Sequence, residues 1–267
     1  MTSLQERYGN WALVAGAAEG IGEGFASVLA ACGFNIILID INVVAMHELA
    51  LRIEQKYHVE TLELQLDLSV PDAAELCMKA VMSIDCRLMV YVAAYSRVCR
   101  FSELDPSELD NFLSLNIRTM LYLVHGFSKR LISTGKTGGI ILVSSLAGLI
   151  GPQYVATYAA SKAFSIRLTE ALHDELKDNG IDITVCCAGT VSTPTFWKSK
   201  PNFDKIKPYF MQADDVAGYA IRSLGKKIIC IPGMKNRLQY FFLLKLLPFW
   251  FGCHLVNNAM KKMYGKM

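Results

Sequence analysis

Trp11-Ala12-Leu13-Val14-Ala15-Gly16-Ala17-Ala18-Glu19-Gly20-Ile21-Gly22 decides how this 267-residue chain folds. Five apolar residues suit a buried strand. The glycines that follow let the backbone turn sharply, and a helical pattern starts at once behind them. Glycines at such a turn allow a pyrophosphate to come close to the main chain. The helix N-terminus then offers amide donors and the positive end of its dipole. A glycine cluster alone also suits any tight strand–helix turn, but the strand–turn–helix context that a dinucleotide cradle requires is present. Gly16, Ala18, Glu19, Gly20, Ile21 and Gly22 are its candidate residues.

Working outward, short apolar runs alternate with helical patterns. Strands are expected at Trp11–Ala15, Asn35–Asp40, Thr61–Leu68, Arg87–Ala93, Gly139–Ser144, Asp182–Cys187 and Lys227–Ile231, with helices near 20–31, 42–56, 71–84, 106–133, 154–178 and 213–223. Strands alternating with helices of this length imply right-handed βαβ units. The expectation is a single-domain α/β Rossmann fold, a doubly wound seven-stranded parallel sheet with helices on both faces. Strands that are apolar throughout suit a sheet covered on both sides. No linker or repeat divides residues 1–233, and 234–267 reads as an apolar, basic extension.

Asp40 ends the second strand, 24 residues after Gly16. A carboxylate there can accept from both adenine-ribose hydroxyls and repels a 2′-phosphate, which favours NAD over NADP; capping of the next helix is the plainer alternative. Asp67, with Leu68 beside it at the end of the third strand, suits the adenine amino group or, equally, a turn. Farther on, Tyr158 and Lys162 lie four apart in a helical segment, so they share one face. A phenol titrates near pH 10, and a neighbouring cation favours its charged form, which makes it a usable acid/base. Ser144 and Ser145 end the fifth strand just ahead of that helix, at the sheet edge where ligands collect in open α/β folds.

Taken in order, the Gly-rich turn, Asp40, Asp67, Asn116, Ser145, Tyr158-x-x-x-Lys162 and Gly189 with Thr193 resemble the short-chain dehydrogenase/reductase family over nearly all of residues 10–232. The resemblance implies that Tyr158 is the general acid/base, that Lys162 lowers its pKa and binds the nicotinamide ribose, and that Ser145 orients the substrate oxygen. It implies that Asn116 holds a water in a proton relay to Lys162. Val191, by its amide, and Thr193, by its hydroxyl, would hold the nicotinamide carboxamide, although Thr193 also suits a simple turn. The family's Asn-Asn-Ala-Gly segment appears here as Tyr91-Val92-Ala93-Ala94, which removes a side chain that braces the sheet. Backbone contacts from Ala93 and Ala94 to the cofactor need no side chain and could survive. Ala15 and Ala188 replace the family's Thr and Pro. An NAD-dependent oxidoreductase interconverting a secondary alcohol and a carbonyl is the expectation, as a homodimer or homotetramer.

Residues 190–213 occupy the place of the family's substrate lid. Their aromatics Phe196, Trp197, Phe203, Tyr209 and Phe210 suit a bulky apolar alcohol or ketone, or else pack on the core or a second subunit. Charge is uneven: residues 1–215 carry a net −6 and residues 216–267 nine Lys/Arg with no acid. The apolar run Leu238 to Val256 is interrupted by Lys245 and Pro248 and flanked by Lys235, Arg237, Lys261, Lys262 and Lys266. It suits an anionic membrane surface, a subunit interface or the substrate mouth. Cation on an apolar segment is a poor fit to nucleic acid. Eight cysteines without CxxC pairs, and no secretory leader, point to the cytoplasm with free thiols. The histidines form no cluster, so no metal is expected. Two rivals remain: a silent NAD-binding regulator, and a membrane-surface lipid or steroid reductase using NADPH.

Overall fold

In the computed structural model, residues 4–204 and 208–265 are described. Seven strands form one parallel sheet: β1 (Trp11–Ala15), β2 (Asn35–Asp40), β3 (Thr61–Gln65), β4 (Cys86–Tyr91), β5 (Gly138–Ser145), β6 (Ile181–Ala188) and β7 (Ile229–Cys230). Their order is β3-β2-β1-β4-β5-β6-β7. The order reverses between β1 and β4, and this opens a crevice beyond the carboxyl ends of those strands.

Successive strand residues feed opposite faces. Val14, Leu38 and Cys186 join Phe25 and Phe34 in one core layer; Leu13, Ile37 and Cys187 join Phe127 in the other. The adjacent cysteines therefore point apart, as a strand requires. The layers are closed by α1 (Leu4–Tyr8), α2 (Ile21–Ala31), α3 (Val43–Tyr57), α4 (Ala73–Val81), α5 (Pro106–Leu113), α6 (Met120–Ser133), α7 (Ala156–Lys177), α8 (Pro194–Lys198) and α9 (Ala213–Ser223).

Several expected boundaries shift. The third strand stops at Gln65, because Asp67 turns back to accept from the Ser69 amide and hydroxyl at 2.8 and 2.6 Å. This edge strand is half exposed, unlike its continuously buried neighbours. The helix expected across 106–133 carries a π-helical turn at Ser114–Thr119 between α5 and α6. The amino end forms α1: Tyr8 is buried and donates to Asp182 at 2.7 Å, and Arg7 pairs with the same carboxylate at 2.5 Å.

After β7 the chain continues as α10 (Met234–Phe241), a π-helical turn at Phe242–Leu246, and α11 (Phe249–Tyr264). Pro248 separates the two helices, since proline lacks the amide a helix interior needs. Among the described residues no helix is long and apolar enough to cross a membrane. Lys266 of the expected basic flank lies outside the described residues, as do 205–207 of the expected lid.

Candidate active site

A cavity of about 950 Å³ runs along the carboxyl ends of the strands. At one end stands the Gly-rich bend. Gly16 has φ +84°, and a Cβ there would come within 2.6 Å of the Ala93 amide; a Cβ on Gly22 would lie 1.8 Å from the Gly16 carbonyl oxygen. The bend is thus compressed against its own helix and the fourth strand, leaving the first turn of α2 with no side-chain cap at Gly20. Gly16, Glu19, Gly20 and Ile21 face the cavity. Ala18 and Gly22 lie outside its wall and hold the bend from behind.

Asp40 explains why. Its Oδ2 accepts from the Ala18 amide at 2.9 Å and its Oδ1 from the Asn42 amide at 3.0 Å, so it braces the bend while facing the cavity. Each carboxylate oxygen keeps a further lone pair for a ligand hydroxyl. Helix capping falls to Asn42 instead, whose side chain accepts from Ala45. Asn42 also donates to Glu19 at 2.9 Å. Asp67 and Leu68 line the same end, although Asp67 also makes the turn to Ser69.

Ser145, Tyr158 and Lys162 meet in the middle of this wall. Ser145 is the last residue of β5; its hydroxyl accepts from Ala147 at 3.1 Å and contacts the Tyr158 phenol. Ser144 donates to the Lys162 carbonyl at 2.8 Å, locking strand to helix. Gly148 packs so closely on α7 that a Cβ would sit 2.7 Å from the Lys162 carbonyl carbon. The Lys162 ammonium donates to the Val143 carbonyl at 2.8 Å and lies 5.6 Å from the Tyr158 ring centre.

The electrostatics differ from the expectation. Burial is the main influence on both groups: it pushes the Tyr158 phenol up, opposed by the Ser145 hydrogen bond, and it pulls Lys162 down to about 8. As folded, one N–H of Lys162 goes to a backbone carbonyl, and the Ser145 hydrogen bond lowers the phenol. Between that value and the ordinary lysine range the unfolded chain holds a proton that the folded chain has released. Stability from this group therefore rises with pH through that window and is lowest below it. Denaturant unfolding of the protein and of Lys162→Met should show the wild type gaining relative to the variant between about pH 8 and pH 10.5.

Asn116 does not reach the wall. It sits in the π-helical turn, accepts from the Tyr95 amide at 2.7 Å, and donates to the Tyr95 carbonyl at 3.0 Å and to Ser161 at 2.9 Å. It therefore clasps the segment after β4 to α7. The bracing that Tyr91-Val92-Ala93-Ala94 put in doubt is supplied differently: the buried Tyr91 hydroxyl donates to the Leu115 carbonyl at 2.6 Å. The Val92 and Ala93 amides both donate to the Ala15 carbonyl at 2.9 Å, and Ala93 and Ala94 face the cavity.

Gly189, Val191 and Thr193 also face it. The Thr193 hydroxyl accepts from Phe196 at 3.2 Å as the cap of α8, so the turn role is present, and its proton remains for a ligand acceptor. Of the lid aromatics, Trp197, Phe203 and Phe210 pack with Phe196 as a box of four rings, whereas only Phe196 and Tyr209 reach the wall. The aromatic content of this segment therefore reflects self-packing as much as substrate.

Much of the opposite wall was invisible in the motifs. Asn236, Tyr240, Leu243, Val256, Met260 and Tyr264 come from the extension. It is fastened by Asn257, which accepts from the Gln153 amide at 2.9 Å, and by the Ser199–Tyr264 hydroxyl pair at 2.9 Å. Asn236 is buried against Gly189, where a Cβ would meet its amide at 2.5 Å. The inward stripe Asn236, Tyr240, Leu243 is the one sequence signal that could have revealed this wall.

A short chain dehydrogenase family model matches residues 10–203, and the chain belongs to that family, whose cofactors are nicotinamide dinucleotides. Among curated relatives, a 7beta-hydroxysteroid dehydrogenase of Clostridium sardiniense is 33% identical over 88% of this chain and 90% of its own. Its counterpart from Collinsella aerofaciens is 29% identical with the same coverage. A solved structure from work on 7beta-hydroxysteroid dehydrogenase stereoselectivity superposes with a TM-score of 0.87 at 27% identity, covering 96% of this chain and 99% of that one. A short-chain dehydrogenase from Sphingobium yanoikuyae, solved with NADPH, shares the fold at 22% identity and a TM-score of 0.77, covering 87% of this chain and 91% of that one. The protein is an oxidoreductase.

Proposed function

We propose that the protein interconverts a secondary alcohol and a ketone on a bulky apolar substrate, with NAD as its partner and Tyr158 as general acid/base. The observation that carries this reading is a single cavity holding the Gly-rich bend, Asp40, and the Ser145–Tyr158–Lys162 group on one wall. Similarity to hydroxysteroid dehydrogenases supports a rigid apolar alcohol, as does the apolar wall built by Leu149, Ile150, Leu243 and Met260.

The residues present fit a dinucleotide, since a side chain on Gly16 or Gly22 would strike backbone and one on Gly20 would strike the Thr193 side chain. When bound, the cofactor accepts or returns a hydride. The chain does the rest. Gly16, Gly20 and the start of α2 receive the diphosphate; Asp40 takes the ribose hydroxyls; Asp67 serves the adenine end; Ala93 and Ala94 offer backbone; Val191 and Thr193 hold the carboxamide. Ser145 positions the substrate oxygen while Tyr158 removes or restores its proton. The Ser145 hydrogen bond lowers the phenol, and the positive charge that Lys162 keeps near neutrality acts in the same direction. Asn116 acts by holding the catalytic helix in register. Oxidation is the proposed direction, and a homo-oligomer the proposed assembly.

The NAD reading rests on charge: Glu19, Asp40 and Asp67 line the adenosine end, and no cation lines it among the described residues. Steady-state assays should give kcat/KM for NAD at least about tenfold above NADP, since two bonds to a charged acceptor are at stake. Asp40→Ala should erase most of that preference. An NADP preference above about tenfold in the wild type would overturn the assignment.

A further inference from the structure

The extension is a helical pair with two apolar faces. On α10 and the π-helical turn, Asn236, Tyr240, Leu243 and Leu244 face the cavity. The opposite stripe of Met234, Leu238, Phe241 and Phe242 is exposed, and it continues through Leu246 into Phe249, Trp250, Phe251 and Leu255 at the start of α11. Trp250 is 70% exposed and Phe249 64%, on either side of the turn that Pro248 makes. A contiguous exposed apolar stripe of this length ordinarily marks a surface that something covers. Here the body of the protein covers one face only.

Charge selects what covers the other. Residues 216–267 hold nine Lys/Arg and no Asp/Glu. Arg237 is occupied, donating to the Tyr219 hydroxyl, and Lys235 stacks 4.8 Å over the Tyr209 ring. Lys245, Lys261 and Lys262 are exposed beside the apolar stripe. A second copy meeting this face across a two-fold axis would set cation against cation. A copy meeting it with another surface would leave the contact unclosed and open to continued addition. Aromatic rings at a protruding turn, flanked by lysines, instead match a bilayer interface with acidic headgroups.

We infer that the outer face of the 234–265 helical pair seats the protein on an anionic lipid surface. The helices that touch lipid on one side are those that wall the cavity on the other, so an apolar substrate dissolved in the bilayer has only this pair to cross. The seat is a property of the outer face and stands or falls separately from the chemistry proposed for the cavity.

The test is co-sedimentation of the full chain with vesicles of phosphatidylcholine alone or mixed with phosphatidylglycerol, at low and high salt. Binding to the anionic vesicles should exceed binding to the neutral ones by about tenfold or more and weaken with salt. Phe249→Glu/Trp250→Glu and Lys261→Glu/Lys262→Glu should each lose about tenfold or more of that binding. Turnover of a small water-soluble ketone should be unchanged in both variants, because none of the four residues lines the cavity. Equal binding to neutral and anionic vesicles would overturn the inference. So would absent binding together with an oligomer that Phe249→Glu/Trp250→Glu dissociates in analytical ultracentrifugation, which would assign the face to a second copy.

Discussion

Tyr158→Phe should lower kcat by roughly 10²- to 10⁴-fold, the range over which a positioned acid/base contributes, while dinucleotide affinity and thermal unfolding stay near wild type. The ring fills the same volume, so the wall keeps its packing. What is lost is a hydroxyl in contact with Ser145, a hydrogen bond worth about 1 kcal/mol to the fold. On the proposed mechanism the chemistry loses its proton carrier at the substrate oxygen. Stopped-flow and steady-state turnover of a hydroxysteroid, paired with a fluorescence titration of NADH, separate the two effects. Wild-type turnover with binding retained would sink the acid/base role and return the silent regulator as the better reading.

The second large effect concerns one methyl group. Gly22→Ala places a carbon 1.8 Å from the Gly16 carbonyl, a backbone atom that cannot swing aside as a side chain would. Either the first turn of α2 moves away from the strand or the bend opens, and in both cases the amides proposed to meet a diphosphate are displaced. Overpacking of this kind costs about 1–3 kcal/mol, which corresponds to roughly 5- to 150-fold in dinucleotide affinity if the cost falls on binding. Calorimetric titration with NADH, alongside a thermal melt, reads where it falls. Affinity within about twofold of wild type and an unmoved melting midpoint would show that the bend is no cradle.

The fold was legible because the signals that build it are local. Trp11 to Gly22 contains a strand, its turn and the start of its helix within twelve residues, and each later strand is an apolar run with its own punctuation. The trio of Ser145, Tyr158 and Lys162 was legible for the same reason: a strand end and one helix face fix it. Contacts distant in sequence were not. The sequence offers no sign that Tyr91 reaches the Leu115 carbonyl in place of the missing asparagine, or that Asn116 spends its amide on Tyr95 and Ser161. The phenol and ammonium also differ from the simple pairing suggested by their spacing. Four residues apart on a helix sets proximity, whereas burial, with the Ser145 hydrogen bond on the phenol, sets their protonation. The far wall was hidden for a further reason: composition showed an apolar, cationic tail without saying which of its faces turned inward.

That far wall has a bearing on how the molecule comes into being. The floor, with its bend, serine and tyrosine, is encoded by residue 193, yet the roof is supplied by residues near the end of the chain, through Asn257 to Gln153 and Tyr264 to Ser199. During synthesis the sheet can be largely assembled while its reaction chamber still stands open to water. Enclosure comes later along the chain, through contacts 104 and 65 residues apart, the kind that form late and release first. The scaffold and the shelter it provides are therefore two separable achievements of one polypeptide.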